Sequence, residues 1–176
     1  MRDKIHCKNC SLSKTNSRFV CGIGDIKLGV MFIGEAPGYF EDVQGKPFVG
    51  RSGKLLDRLL NEIGLSRNDI YITNLVKCRP PENRDPSKAE IECCIDILRS
   101  EVRKVHPKII VTLGRISSKR LIDPDIKITR DHGIFTLKKN IWMMPTLHPS
   151  AVLRNMGHLP EVQQDFLKLK SKILEL

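Results

Sequence analysis

The sequence contains no run of the ~20 apolar residues that a membrane-crossing helix needs. Its opening residues, MRDKIHCKNC, hold no apolar stretch of the signal-peptide kind. Internal repeats, low-complexity tracts and a Pro/Gly/Ser-rich linker are also missing, so solenoid and multi-domain readings lose their support. Acidic residues run short, 20 Asp+Glu against 30 Lys+Arg, and the formal charge is +10. These absences together lead us to expect a soluble, cytoplasmic protein with no membrane partner. We expect one domain over residues 1–176, long enough to bury a real core. A folded domain that basic points to a polyanionic partner, of which nucleic acid is the commonest.

Cysteine is not scarce. Six are present, and a reducing compartment does not keep them as disulfides. Cys7 and Cys10 form a C-x2-C pair, a spacing that lets one turn of chain wrap two thiolates around an ion or cluster. Cys78, Cys93 and Cys94 lie far downstream, and the total permits a four-thiolate site. Cys21 has apolar neighbours and reads as a small buried residue. Residues 1–24 thus read as a metal-anchored arm.

Beyond the arm, the chain alternates strands and helices. The apolar, β-branched run Val30-Met31-Phe32-Ile33 reads as a buried strand that stops in the turn Gly34-Glu35-Ala36-Pro37-Gly38. Phe48 follows in a Gly/Pro-stiffened loop, where a large apolar ring is out of place unless it covers something. Leu55, Leu56, Leu59, Leu60 and Ile63 recur at helical spacing up to Gly64. A second strand ends at Asn74, and a proline-rich loop after Cys78 leads to the capping box Ser87-Lys88-Ala89-Glu90 and a helix to about His106. A third strand ends at Gly114. Residues 126–140 read as an extended segment and a hairpin, and a fourth strand, marked as an edge by Pro145, runs into His148. The last helix, about 160–175, buries Val162, Phe166, Leu169 and Ile173, with Lys168, Lys170 and Lys172 solvated.

This alternation predicts an α/β fold with a mostly parallel sheet covered on both faces. Ligands in such folds bind beyond the carboxyl ends of the strands. Glu35, Asn74, Gly114 and His148 all fall there. A carboxylate can activate water or stabilise a cation, and a neutral histidine can donate to an anionic leaving group. An asparagine amide can read a complementary polar edge, and an aromatic ring can stack on a base. On a basic protein, that set fits cleavage of a glycosidic bond to a planar base.

The motifs GEAPG at 34–38, PFVG at 47–50, YITNLVKCRPP at 71–81 and HPS at 148–150 resemble the family 4, iron–sulfur uracil-DNA glycosylases. The resemblance implies a three-layer α/β/α sandwich around a mainly parallel four-stranded sheet. It also implies a monomeric DNA-repair enzyme that hydrolyses uracil out of single- or double-stranded DNA. By position, Cys7, Cys10, Cys78 and Cys94 match the ligands of a 4Fe-4S cluster. Phe48 matches the ring that stacks on flipped uracil and Asn74 the amide that pairs with it, with Ala36, Gly38, Tyr39 and Glu41 around them. His148 matches the histidine facing uracil O2. Ser150, Val152, Leu153 and Arg154 match the segment that enters the minor groove, where Leu153 or Val152 fills the vacated stack. Ala36 stands where other branches carry Asp or Asn, so the water-activating role falls to Glu35. Tyr39-Phe40 replaces residues that are typically acidic, which leaves Tyr39 and Glu41 as the candidates for excluding thymine's methyl group. The alternatives are a cluster- or zinc-bearing nucleic-acid-binding module without catalysis, and a glycosylase for other deaminated bases.

Overall fold

The computed structural model describes Cys7, residues 10–25 and residues 27–176. In chain order its first half comprises β1 (Ile23–Gly24), β2 (Val30–Gly34), α1 (Tyr39–Gln44), α2 (Arg51–Glu62), β3 (Tyr71–Asn74) and α3 (Lys88–Val105). The second half comprises β4 (Ile109–Leu113), α4 (Arg115–Leu121), α5 (Ile128–Asp131), β5 (Thr136–Lys138), β6 (Ile141–Thr146), α6 (Pro149–Arg154) and α7 (Leu159–Leu174).

The sheet order is β1-β3-β2-β4-β6-β5. The inner four strands are parallel, as expected from the βαβ spacing. Among the described residues the sheet has six strands rather than four, because β1 and β5 add antiparallel edges. β1, of two residues, carries too little alternation to register in a sequence pattern, whereas β5 is the first arm of the expected hairpin and turns into β6 at Lys139-Asn140. Residues 126–140 include a helical turn, α5, before the hairpin. β6 is not an edge strand: Pro145 faces Thr112 of β4 on one side. On its other side β5 has already ended, since Thr136 pairs no further along than Met143.

β2 shows why this sheet forms. All five of its residues are buried, and alternate side chains feed opposite layers. Val30 and Phe32 join Leu56, Leu59 and Leu60 of α2, Val152 of α6 and Phe166 of α7. The rings of Phe32 and Phe166 lie 5.9 Å apart. Met31 and Ile33 join Ile95, Leu98 and Val105 of α3 on the opposite face. The predicted capping box opens α3: Glu90 N–H donates to Ser87 Oγ, and Ser87 N–H donates to Glu90 Oε2 at 2.8 Å. Lys172 is less solvated than expected, its ammonium 4.4 Å from the Trp142 ring centroid.

One buried charge ties the pieces together. Lys77 is fully buried, and its Nζ donates to Thr73 Oγ1, the Asn74 carbonyl and Glu101 Oε2, each at 2.6 Å. Glu101, on α3, also accepts Gly22 N–H at 2.9 Å beside β1 and Thr73 Oγ1–H at 2.9 Å. Burial pulls the Lys77 ammonium below its usual range, while Glu101 opposes that shift. Breaking such a pair from one side strands the other charge. We expect Lys77→Met to lose ~3–5 kcal/mol in urea unfolding, and Lys77→Met/Glu101→Leu to recover part of the loss. A single variant as stable as the parent would contradict this account.

Candidate functional site

The carboxyl ends of the parallel strands open into a cavity of about 650 Å³. Glu35, Asn74, Gly114 and His148, the four strand-end positions, all line it, together with Phe48. The shared level follows from register. Gly34 is paired with Asn74, Leu113 with Thr146, and Gly114 N–H donates to the Thr146 carbonyl at 2.8 Å.

Asn74 is 2% exposed, and among the described residues its side-chain amide takes no protein partner. Gly34 makes room for it: a Cβ there would overlap Asn74 Oδ1 and the Phe48 ring. Phe48 sits at φ 53°, a left-handed conformation that a bulky residue adopts only when its surroundings impose it. Arg67 supplies that imposition, donating to the Pro47 carbonyl at 3.1 Å and the Phe48 carbonyl at 2.7 Å while also binding Asp57 at 2.8 Å. Glu41 Oε1 accepts the N–H groups of Val49 and Gly50 at 3.0 Å each and braces the same loop.

His148 caps α6, with its ring 5.8 Å from that of Phe48. Ser150 N–H donates to Nδ1 at 3.1 Å, which makes Nδ1 an acceptor, and Ser150 Oγ–H donates to it at 2.8 Å. The remaining ring nitrogen, Nε2, is therefore the donor. Burial, followed by the charge of Arg154, lowers the His148 pKa to about 4, so the ring is neutral near pH 7. Gly114, at φ +91°, lies against His148, where a Cβ would come within 2.9 Å of the histidine's own.

Glu35 behaves in the opposite way. Burial first, and then the like charge of Asp85 and a hydrogen bond shared with it, raise its pKa to about 7, against the pull of Arg115 and Arg154. Asp85 also lines the cavity, and its Oδ2 accepts from Arg115 at 2.7 Å. Sequence reasoning missed Asp85, Arg115 and Arg67, because each acts through contacts with residues distant in sequence. The only signal for Asp85 was its place in a proline-stiffened loop.

Of the other expected residues, Ala36, Gly38, Glu41, Ser150 and Arg154 line the cavity, whereas Tyr39, Val152 and Leu153 do not. Tyr39 and Leu153 are exposed at 56% and 39%, and Val152 is buried in the core. Cys78 and Cys94 are buried in a small third cluster with Leu12, Val76 and Ile91, against which Cys10 packs. Cys93 is half-buried outside it, and Cys21, expected to be buried, is exposed. Burial raises the Cys78 thiol to about 12, and Cys94, Cys10 and Cys7 add to the rise as nearby potential negative charges. Lys77 N–H donates to Cys94 and favours its thiolate, against the larger effect of burial. The thiols of Cys10, Cys78 and Cys94, packed in this cluster, suit a group that brings positive charge among them. Among the described residues, no three or more His, Cys, Asp or Glu side chains converge closely enough to hold a single metal ion. A cluster of several irons needs a wider cage than one ion does.

A sheet-end cavity with an aromatic wall, an amide without a protein partner among the described residues, a neutral imidazole and paired carboxylates suits a planar polar ligand on an α/β fold. Residues 21–173 match the uracil DNA glycosylase superfamily model. The chain is 45% identical to a type-4 uracil-DNA glycosylase of Saccharolobus solfataricus, over 95% of this chain and 82% of that protein. It is 41% identical to the type-4 enzyme of Archaeoglobus fulgidus, over 96% and 89% of the two chains. For that of Thermotoga maritima the identity is 38%, over 95% and 89%. The chain belongs to the uracil DNA glycosylase superfamily and, within it, to the type-4 group.

The carboxylate pair yields a direct test. Asp85→Asn removes a like charge beside Glu35, so the Glu35 pKa should fall from about 7 toward its ordinary 4.5 in an NMR titration of side-chain carboxyl carbons. An unchanged midpoint would leave burial as the whole cause.

Proposed function

We infer that this chain is a DNA-repair uracil-DNA glycosylase that hydrolyses the N-glycosidic bond of a flipped deoxyuridine and leaves an abasic site. The observation that carries the reading is the meeting of Asn74, His148, Glu35 and Phe48 at one cavity. The base must leave the duplex, because its glycosidic bond cannot be reached within the stack.

Uracil presents a carbonyl at O4, an N–H at N3 and a carbonyl at O2. The Asn74 amide can donate to O4 and accept from N3–H, whereas cytosine offers the reverse at both atoms. Phe48 lies against one face of the base. As the bond breaks, negative charge collects on the base at O2 and positive charge on the sugar. The neutral His148, with Nε2–H as its donor, stabilises the first, an effect worth ~2–4 kcal/mol in preorganised sites. Ionised Glu35 stabilises the second and takes a proton from the attacking water. Of the two candidates for excluding thymine's methyl group, Glu41 reaches the cavity. Of the two wedge candidates, Leu153 is exposed and Val152 is committed to the core, so Leu153 fills the gap while Arg154 meets phosphate.

Because Glu35 must be ionised, single-turnover cleavage should rise with pH through about 7 and then level off, with His148 neutral throughout that range. His148→Ala and Glu35→Gln should each reduce the rate by about a hundredfold, with uracil release from a defined oligonucleotide as the assay. A flat pH profile together with an active Glu35→Gln would make the carboxylate structural.

Cys7, Cys10, Cys78 and Cys94 would hold a 4Fe-4S cluster, which supplies a covalent tie between the arm, the loop at Cys78 and α3. Ser11 Oγ–H, which donates to Glu90 Oε1 of α3 at 3.0 Å, already runs along that tie. The purified protein should be brown, and Cys78→Ser should lose both visible absorption and iron in elemental analysis. Zinc in place of iron would retain a thiolate site but discard the cluster.

A further inference from the structure

Helix α1 carries its polarity inside out. Its acids turn inward: Glu41 braces the Phe48 loop, and Asp42, only 4% exposed, accepts the N–H groups of Ser17 at 2.9 Å and Arg18 at 3.1 Å. Apart from Gln44 at its end, its exposed positions are Tyr39, Phe40 and Val43, at 56%, 56% and 46%. Residues three and four apart share a helix face, so Val43 lies alongside both rings. A solvated helix ordinarily shows the reverse arrangement. The two rings meet edge-on, with centroids 5.4 Å apart, and the Arg79 guanidinium lies 5.2 Å from the Tyr39 centroid. At the far end of the helix, the Arg18 side chain lies against Gly45.

This patch adjoins the cavity on two sides. Gly38, which precedes Tyr39, and Pro80, which follows Arg79, both line it. Rings flanked by guanidinium groups, at the mouth of a base-binding cavity on a protein of charge +10, match an alternation of flat bases and phosphates.

We propose that Tyr39, Phe40 and Arg79 form a stacking platform for the nucleobase next to the flipped uracil in single-stranded DNA. The proposal rests on the uracil-DNA reading above. A base can lay its face on Tyr39 or Phe40 only when its own strand leaves that face open. In a duplex the neighbour stays paired and stacked, so the platform acts on unpaired strands. Arg79 and Arg18 meet the flanking phosphates, a contribution that weakens with salt.

The test uses the full chain and fluorescence anisotropy on oligonucleotides with one non-hydrolysable 2′-fluoro-deoxyuridine, single-stranded and paired. Base–aromatic stacking sets the expected size: Tyr39→Leu or Phe40→Leu should lower the preference for single over paired strands about tenfold, and Tyr39→Trp should retain it. A 2-aminopurine beside the uridine should be quenched on binding the parent and much less so on binding Tyr39→Leu. Equal weakening on both strand forms, no weakening, or unchanged quenching would overturn the platform; no weakening would leave the patch to a protein partner. Uracil release from duplex substrate by the parent tests the glycosylase reading separately. A parent that binds single strands through these rings but frees no uracil would sink that reading alone.

Discussion

Everything at the site depends on the hydrogen-bond register of four parallel strands. Gly34 lies opposite Asn74, and Leu113 lies opposite Thr146. Glu35 and Gly114 therefore follow their strands directly, Asn74 closes β3, and His148 stands two residues past β6, all at the same end of the sheet. A slip of one residue in β3 would rotate Asn74 to the opposite face of the sheet. The pairing even continues past the strands, with Leu75 N–H donating to the Gly34 carbonyl at 3.0 Å and Val76 N–H to the Glu35 carbonyl at 3.2 Å. Lys77 then holds the Asn74 carbonyl from below. The backbone that carries the Asn74 amide is fixed by the sheet's own hydrogen bonding rather than by its loop.

The site separates its two titrating groups by environment. Burial acts on both, but it raises an acid and lowers a base. Asp85 pushes Glu35 further up, while Arg154 pushes His148 further down. Between about 4 and about 7 the imidazole is already neutral while the carboxyl is still largely protonated. Above that window the pocket holds one anion and one neutral donor, the combination that the proposed reaction calls for. Arg115 and Arg154 line the same cavity and bring positive charge to it.

How much of this was legible in the sequence depends on the range of the interactions. The inner strands, α2, α3 and α7 were legible because burial writes itself as apolar periodicity. Glu35, Asn74, Gly114 and His148 were legible as a set because a parallel sheet turns strand ends into neighbours. The edge strand β1 was not, being too short to show a period, whereas β5 was legible as the first arm of the hairpin over 126–140. Pro145 misled because a missing N–H matters only where a neighbour needs it, and β5 ends before reaching it. Arg67, Asp85 and Arg115 carry no local pattern: each meets its partner across a gap of 10 to 30 residues or more. The exposure of Cys21 and the outward rings of α1 likewise reflect what surrounds them, which no periodicity encodes.

The loop between Cys78 and Ser87 is pinned along its length. Cys78 is buried at one end, Arg84 grips Glu90 with two hydrogen bonds of 2.9 and 2.8 Å, and Asp85 is held by Arg115. That grip, with the Ser87 and Ser11 bonds, keeps the Glu90 carboxyl down at about 2. Surface loops usually drift in length over evolutionary time at little cost. Here a single inserted residue would pull Asp85 away from Glu35 or Arg84 away from α3. In this fold the loop works as a ruler that sets the distance from Cys78 to the partner of the Glu35 carboxylate.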